Sequence, residues 1–213
     1  LSKRALTMLT IWGRPNSINV QKVMWTVAEL GLEHERIDVG GEFGGLNTDQ
    51  FGAMNPNRRI PVLRDSAASI WESQACVRYL AATYGEGTLW PLDPARRSVA
   101  DRWMDWKITT VLPFLHICFW GLIRTPEVDR DMPAIEKATG DLGETWQLFE
   151  AHLQKRTYVL GDRLTMGDVP LGCAFYRYVN LPIKRPSLPA IEAWYNRLQE
   201  RPAFREQVMI PVT

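Results

Sequence analysis

The stretch from Asn55 to Leu80 constrains the fold more than any other part of the chain. Residues 60–63 form an apolar run typical of a β-strand, but the run contains Pro61. Proline removes one main-chain donor, so this strand belongs at a sheet edge or beside a ligand that uses the freed backbone. Shortly afterwards, Glu72 and Ser73 begin a predicted helix, whose unpaired amides and dipole favour a bound carboxylate. The combination predicts a pocket for a short acidic peptide.

The rest of the first half alternates strands and helices. Apolar residues with a helical period follow a short strand signal at residues 9–12, and they end at Gly31. Further strand signals lie at residues 34–39, 61–63 and 69–71, with a helical turn within 48–54 and a helix over 72–84. The order βαβ, loop, ββα predicts a thioredoxin-like domain built on a small mixed sheet.

The second half has a helical pattern throughout. Residues 85–94 contain two glycines and two prolines and are interpreted as a linker. One long helix is predicted over 97–122 with Pro113 placed to kink it, and another over 134–153. Later helices are expected to start near Thr165 and Pro189. The predicted fold class is therefore α/β plus all-α: a thioredoxin-like domain (8–84), a linker (85–94) and an all-helical domain (95–213).

Composition excludes several classes of function. The 213 residues are 46% hydrophobic and 23% charged with a net charge of +1, so nothing favours binding to nucleic acid or a membrane surface. No apolar run reaches the roughly 20 residues of a membrane helix. The segment Leu1–Ala5 is too short and polar for a secretory signal, and Met8 is interpreted as lying near the natural start.

Cysteine and histidine give no pattern for a metal site. The three cysteines and three histidines are widely spaced, and no pair has metal-ligand spacing. The cysteines are interpreted as buried free thiols of a reducing cytoplasm. They are Cys76, Cys118 and Cys173, and the histidines are His34, His116 and His152.

Several segments, in order, resemble the cytosolic glutathione S-transferase superfamily, in a bacterial theta- or nu-like branch. The similarity extends from Leu9 to Arg205. The segments are Arg14–Val20, Asn55–Leu63, Trp71–Ala75, Leu164–Asp168 and Arg201–Phe204.

The resemblance implies how glutathione would be held. The Ile60–Pro61 bond would be cis, so that the Ile60 backbone pairs with the cysteinyl backbone of glutathione. Glu72 and Ser73 would hold the γ-glutamyl end, although both are also ordinary helix-capping residues. Where many relatives carry small residues, this chain has Arg58 and Arg59, and Arg59 is the better candidate for the glycine carboxylate.

The same chemistry requires a thiolate. A free thiol must lose about two pKa units to ionise at neutral pH, which corresponds to roughly 3 kcal/mol. In similar proteins a serine at the position of Ser17, or an asparagine at that of Asn19, donates a hydrogen bond to the sulfur. The alternative is that Ser17 only caps the first helix. No cysteine lies in this turn, so the nucleophile would belong to glutathione itself.

The second substrate would bind between the two halves, in an apolar cleft. Aromatic side chains of this kind also commonly form core. The candidates are Trp12, Phe114, His116, Phe119, Trp120 and Tyr176. Asp101 and Asp105 are candidates for an acidic residue that reaches across the homodimer expected from the resemblance. Thr165 is predicted to cap the amide of Asp168, and the Asp168 side chain is predicted to accept a hydrogen bond from the backbone of Thr165 in return.

The function expected from the resemblance is conjugation of glutathione to electrophilic small molecules in the cytoplasm, with glutathione as co-substrate and no metal. The alternatives are a glutathione-dependent disulfide reductase, indicated by Asn19, and a ligand-binding member of the fold without turnover.

Overall fold

The computed structural model describes residues 8–66 and 68–213. The interpretation of residues 1–7 as an extension before Met8 falls outside the described residues.

A four-stranded mixed sheet forms the centre of the first half. Its order is β2-β1-β3-β4, with β1 parallel to β2 and antiparallel to β3, and β3 antiparallel to β4. Leu9 and Ile11 alternate with less buried residues along β1, as expected for a strand with one face on the core. The strands are β1 (Leu9–Trp12), β2 (His34–Ile37), β3 (Val62–Asp65) and β4 (Ala68–Trp71).

Two helices of the first half pack against each other through their apolar faces. Val20, Val23 and Leu80 join the sheet residues in one buried cluster. The helices are α1 (Ile18–Glu29), α2 (Asp49–Met54) and α3 (Ser73–Tyr84). This arrangement confirms the predicted thioredoxin-like half.

Several boundaries in this half differ from the prediction: β3 extends to Asp65 instead of ending at Leu63, and β4 begins at Ala68 instead of Ser69. Strand β2 ends at Ile37 rather than at residue 39, because Gly40 and Gly41 take positive φ angles of 86° and 62° that end extended pairing. Helix α3 begins at Ser73 instead of Glu72, because Glu72 is the N-cap residue with a φ of 67°.

The second half is helical, as predicted. Its largest buried side chains include Trp146, Phe149, Phe175 and Trp194. The helices are α4 (Pro94–Trp106), α5 (Leu112–Phe119), α6 (Met132–Leu153), α7 (Asp168–Val179), α8 (Pro189–Gln199) and α9 (Pro202–Gln207). The helix expected from Thr165 starts at Asp168, because residues 165–167 form the turn before it.

The two halves share one hydrophobic core. Ile18 and Trp25 of α1, and Val77 and Ala81 of α3, belong to the same buried cluster as the helical-domain residues. Trp25 packs edge-on against Phe204 of α9, with ring centroids 4.7 Å apart. Helices α1 and α3 therefore both join the first domain to the helical one.

The long helix of the second half runs without interruption from Pro94 to Arg124 and contains two π-helical turns. The turns are Lys107–Val111 and Trp120–Arg124. The first immediately precedes Pro113, the residue predicted to kink the helix. In an α-helix the ring of a proline clashes with the carbonyl four residues earlier. The i→i+5 bonds of the π-helical turn shift that carbonyl and so make room for the ring of Pro113.

The same helix is long and apolar enough to cross a membrane by length and composition, with a mean hydropathy of 1.4. It is the one helix of the described residues that meets this criterion. Met104, Val111 and Leu115 are buried in the shared core. Core helices of globular domains pass the same test, so this is weak evidence for a membrane segment.

Candidate active site

A cavity of about 290 Å³ lies between the two halves. One wall is the turn that leads into α1, and the other is formed by α5, the π-helical turn after it, and α7. The polar lining residues are Arg14, Asn16, Ser17, Asn19, Arg59, His116, Arg124 and Arg177, and the others are Ile18, Leu112, Leu115, Phe119 and Trp120.

Ser17 is the N-cap residue of α1 and has an extended backbone, with φ at −82° and ψ at 119°. Its side chain makes no capping hydrogen bond, so the helix start does not consume the hydroxyl. Ser17 is half-buried and lines the cavity. The hydroxyl is therefore free to donate to a group bound there, at a helix N-terminus that also favours negative charge.

Asn19 lies in a hydrogen-bond network that fixes the direction of its amide. The Lys22 amine donates to Asn19 Oδ1 at 2.9 Å and to Ser73 Oγ at 3.1 Å, and Ser73 Oγ lies 3.4 Å from Asn19 Oδ1. An ammonium group only donates hydrogen bonds, so the amide oxygen must face Lys22. The Nδ2 end of Asn19 is thus left as a donor at the cavity.

Lys22 was not identified from the sequence, and it is fully buried together with a second lysine, Lys107. The pKa of Lys22 is lowered to about 8, mainly by burial and also by Arg177, against opposite effects of Cys173, Lys107 and Glu72. Burial also lowers the pKa of Lys107 well below its ordinary value. Lys107 Nζ has no partner at hydrogen-bond geometry among the described residues, whereas Lys22 has two, although the two lysines are close enough for each to shift the pKa of the other.

The loop before β3 is held by Asn55, whose Nδ2 donates to Arg59 O at 2.7 Å. The Ile60–Pro61 bond is cis, which confirms the expectation from the resemblance. Arg58 has a φ of 51° and donates to the carbonyl oxygens of Leu46 and Thr48, at 3.1 and 2.9 Å.

Arg58 therefore secures the loop against the segment before α2, which leaves the neighbouring arginine for the cavity. Arg59 is exposed and lines it, in agreement with its selection over Arg58 as the ligand-binding candidate. Its contact with a glycine carboxylate stays a prediction.

Glu72 and Ser73 lie at the start of α3, on the far side of Asn19 from the cavity. Glu72 is exposed and has a φ of 67°, a conformation that costs energy for a residue with a side chain. Its side chain makes no capping bond. The Glu72 side chain therefore does not cap α3, Ser73 is buried beside it, and their binding of the γ-glutamyl end stays a prediction.

Only half of the residues predicted for the second substrate reach the cavity: His116, Phe119 and Trp120. Phe114 lines a separate groove on the outer side of the helix, beside Trp106 and Leu148. The other two, Trp12 and Tyr176, pack against other side chains of the protein.

Trp12 packs on the small core around Val39 and Phe51, and the Arg64 guanidinium lies 5.4 Å from its ring centroid. Tyr176 is buried, and its hydroxyl donates to Ile210 O at 2.7 Å. These two side chains therefore have structural partners and do not line the cavity.

The candidates for an acidic residue crossing a dimer have a partner within the chain. Arg78 of α3 donates to Asp101 and to Asp105 of α4, each at 2.6 Å. These ion pairs connect the two domains at the surface. The predicted role across a dimer is not tested by this arrangement.

The Thr165–Asp168 motif is structural, as predicted, and the Asp168 side chain accepts from Thr165 N as expected, but the Thr165 hydroxyl bonds differently from the prediction. Asp168 accepts four hydrogen bonds, from Val159 N, Thr165 N, Thr165 Oγ1 and Trp194 Nε1. The Thr165 hydroxyl thus donates to the Asp168 carboxylate and does not cap its amide, since that amide bonds to Thr165 O. Burial raises the pKa of Asp168 to about 6, opposed by these donors.

All three cysteines are free and buried. Burial raises the pKa of Cys76 and of Cys173 to about 12, and it also raises that of Cys118. These thiols stay protonated near neutral pH and are poor nucleophiles. Among the residues that the structure describes, no group of three or more His, Cys, Asp or Glu side chains could hold a metal ion.

Models of two protein families match the sequence. The glutathione S-transferase N-terminal domain matches residues 7–82, and the glutathione S-transferase C-terminal domain matches residues 109–202. Together these matches cover most of the chain.

Individual relatives match over nearly their whole length. Glutathione S-transferase GstB of Escherichia coli K12 is 42% identical over 208 residues, covering 97% of this chain and all of the relative. Glutathione S-transferase 3 of Zea mays is 30% identical, covering 94% of this chain and 93% of the relative. A theta class glutathione S-transferase of Xanthomonas axonopodis pv. citri, solved with glutathione bound, is 46% identical with a TM-score of 0.93. That comparison covers 96% of this chain and 99% of the solved one.

Proposed function

The chain belongs to the glutathione S-transferase family, and from this premise we propose that it joins the glutathione thiolate to small electrophiles in the cavity between its domains. The observation that carries the proposal is the turn before α1. There, Ser17 presents a hydroxyl that its own helix does not use, and Asn19 presents an amide donor whose direction Lys22 fixes.

Glutathione would lie along the edge of the first domain. Its cysteinyl backbone would pair with Ile60 beside the cis Pro61, its γ-glutamyl end with Glu72 and Ser73, and its glycine carboxylate with Arg59. The cis bond, the strained Glu72 backbone and the exposed Arg59 guanidinium support this placement. The sulfur would then face the cavity at Ser17.

Two neutral donors and a helix N-terminus are enough to ionise the thiol. A hydrogen bond to a charged group contributes about 1.5–3 kcal/mol, and the helix N-terminus adds up to about 1–2 kcal/mol. The requirement is roughly 3 kcal/mol for a shift of two pKa units. The thiolate attacks the electrophilic carbon, a carbon–sulfur bond forms, and the leaving group departs with its electron pair.

The experiment is a pair of substitutions, Ser17→Ala and Asn19→Ala, with Ser98→Ala on the surface of α4 as the matched control. We expect Ser17→Ala to lower kcat/KM with an aryl halide about 10- to 100-fold, because one charge-assisted hydrogen bond is lost. Glutathione affinity, measured by calorimetry, should change little. The absorbance of the bound thiolate should appear at higher pH than in the unsubstituted protein. Full activity and an unchanged thiol pKa in Ser17→Ala would reject this role.

A second candidate function, reduction of small disulfides by glutathione, is favoured by the fixed Asn19 amide. In that case Asn19→Ala would impair turnover of a glutathione mixed disulfide more than Ser17→Ala, and the order would reverse with the aryl halide. A chain that binds glutathione without turning over either compound would be a ligand-binding member of the fold.

The proposal also includes a cytoplasmic homodimer that needs glutathione as co-substrate and no metal. The free, buried cysteines fit a reducing compartment. The thiolate chemistry described above requires only hydrogen-bond donors from the protein.

A further inference from the structure

The cavity between the domains has a charged lining that the sequence pattern of aromatic residues did not suggest. Four arginines line it: Arg14, Arg59, Arg124 and Arg177. No aspartate or glutamate is among the lining residues. The whole chain carries a net charge of only +1, so this positive charge is local to the cavity.

None of these guanidinium groups pairs with an aspartate or glutamate side chain among the described residues. Arg177 is 8% exposed and donates to Asn16 O at 3.2 Å. Arg124, which is exposed, donates to the main-chain oxygen of Thr213, the last residue of the sequence. Each guanidinium has five N–H donors, so most of them remain available.

The arginines on the helical wall also pack around one aromatic ring. The guanidinium carbon of Arg177 lies 4.1 Å from the Phe119 ring centroid, and that of Arg124 lies 5.6 Å from it. Phe119 is buried and Trp120 is exposed beside it. The two guanidinium groups thus lie over the buried Phe119 ring, and the exposed Trp120 beside them provides an aromatic surface, which together suit a flat molecule that carries an anionic group.

Mutual repulsion shows that the cavity has an excess of positive charge. The pKa of Arg177 is lowered to about 10, mainly by burial and also by Arg124 and Arg14, against an opposite effect of Cys173. Arg124 also lowers the pKa of Arg14, against a smaller opposite effect of Glu42. All three stay cationic at neutral pH, and a bound anion would relieve their repulsion.

Glutathione alone does not account for this charge. Its ammonium group offsets one of its two carboxylates, so the bound thiolate form presents two net negative charges: the glycine carboxylate and the sulfur. Arg59 is proposed for the first, and Arg14 lines the same wall as Ser17, which is proposed for the second. Arg124 and Arg177, on the helical wall, are left without an anionic group of glutathione to bind.

We propose that Arg124 and Arg177 bind a carboxylate or similar oxyanion on the electrophilic substrate, so that this protein prefers anionic aryl or alkenyl electrophiles to neutral ones. This substrate class rests on the proposed conjugation reaction. With a chloronitrobenzoate, the sulfur would attack the ring carbon that bears chlorine. The carbon–sulfur bond forms, chloride leaves with the bonding pair, and the thiol proton passes to solvent.

The test compares two probes that differ in charge, 4-chloro-3-nitrobenzoate and 4-chloro-3-nitrobenzamide. For each, kcat/KM is divided by the uncatalysed rate constant with glutathione, which removes the difference in intrinsic reactivity. The readout is the ratio of the benzoate value to the benzamide value. We expect the unsubstituted protein to favour the benzoate about tenfold or more, since charge-assisted contacts with arginine are strong. The preference should weaken in high salt.

Substitutions assign the preference to the cavity. Arg124→Gln should lower the benzoate-to-benzamide ratio about tenfold, whereas Arg124→Lys, which keeps the positive charge, should retain much of the ratio of the unsubstituted protein. Arg96→Gln, an exposed position on the same long helix near its other end, removes the same charge and should leave the ratio unchanged. Thermal melting checks that each variant is folded, and glutathione affinity is measured in parallel.

Three results would overturn the inference. They are a ratio at or below one in the unsubstituted protein, an Arg124→Gln variant that matches Arg96→Gln, and equal losses with both probes. In all three cases conjugation of the benzamide would still support the proposed function. Failure of that function is a different outcome, in which neither probe reacts faster than without protein.

Discussion

Lys22 and Lys107 are both fully buried, but only one has hydrogen-bond partners. Lys22 connects Asn19 to Ser73, and so it links the residues proposed for the sulfur to those proposed for the γ-glutamyl end of glutathione. Lys107, from the π-helical turn, bears an unsatisfied amine in the same buried region. Such a group costs stability, because it has lost water and gained no partner.

The two lysines therefore make a matched pair of substitutions. Lys22→Met should lower kcat/KM about tenfold, because Asn19 loses the bond that directs its amide. Lys107→Met should raise the free energy of unfolding by about 1 kcal/mol, since an apolar side chain of similar length replaces an unpaired amine. Steady-state kinetics and urea unfolding measure both. A Lys107→Met protein that is less stable would show that this amine has a partner in solution.

Lys22 should also make stability depend on pH. Its pKa is about 8 in the folded protein and 10.5 ordinarily, so between these values the unfolded chain binds a proton that the folded chain lacks. The free energy of unfolding should therefore rise with pH above 8, by about 2 kcal/mol between pH 8 and pH 10, and show no effect of this group below pH 8.

The measurement is urea unfolding of the unsubstituted protein and of Lys22→Met across this range. Other groups titrate in both proteins, so the difference between the two stability curves isolates Lys22. Parallel curves would mean that the buried amine keeps its ordinary pKa.

Some of these residue-level features were accessible from the sequence. Ser17, Asn19 and Arg59 could be selected because motifs around them match a family, and all three line the cavity. Lys22 lies three positions after Asn19 on one helix face, a spacing that could have indicated their contact. Arg177 could not be found in this way, because it meets Asn16 across 161 positions of sequence.

At the scale of elements, the turn before α7 depends on one carboxylate. Asp168 accepts donors from its own turn, from Val159 and from Trp194 of α8. The family motif indicated the residue and its link to Thr165. It did not indicate the more distant donors Val159 and Trp194, which reach Asp168 only through the packing of the folded helical domain.

We expect Asp168→Asn to lower the free energy of unfolding by about 3 kcal/mol or more, because an amide donor would then face N–H groups that lose their acceptor. Thr165→Ala removes one of the four bonds and should cost about 1 kcal/mol. Thermal or urea unfolding ranks the two. Similar losses for both variants would mean that the donors from Val159 and Trp194 contribute little.

The elements themselves were largely predictable because their hydrophobic periods are regular. Both π-helical turns escaped prediction, since neither changes the composition of the long helix. Pro113 indicated a departure from α-helical geometry near the right place. It could not show whether the chain would bend or add a residue to the turn.

At the scale of the molecule, the two domains are joined by a common core. Ile18, Trp25, Val77 and Ala81 of the first domain are buried among residues of the second. Gln74 of α3 donates to Met104 O at 2.8 Å, and Arg201 pairs with Glu29. A break between the domains would expose all of these groups to water.

The domains should therefore unfold in one transition, with coincident midpoints by tryptophan fluorescence and by far-ultraviolet circular dichroism. Glu29→Gln weakens the connection between α1 and residue Arg201, and it should shift both signals together. Two separated transitions in either protein would show that the domains are independently stable.

The division into an α/β half and a helical half followed from sequence periodicity, but the character of the space between them did not. Aromatic residues suggested an apolar cleft, whereas the structure brings four arginines to it from the N-terminal domain and from two helices of the other domain. Charge at such a boundary depends on which side chains of separate domains meet. No local pattern contains that information.

The π-helical turn Lys107–Val111 lies upstream of the residues through which the long helix meets the cavity. Each residue of an α-helix advances the direction of its side chains by about 100°. A π-helical turn takes up one extra residue, so loss of one residue from it would restore ordinary winding and leave His116 and Phe119 facing the same way. The same deletion within the α-helical part that follows would instead turn every later side chain of the helix by about 100°.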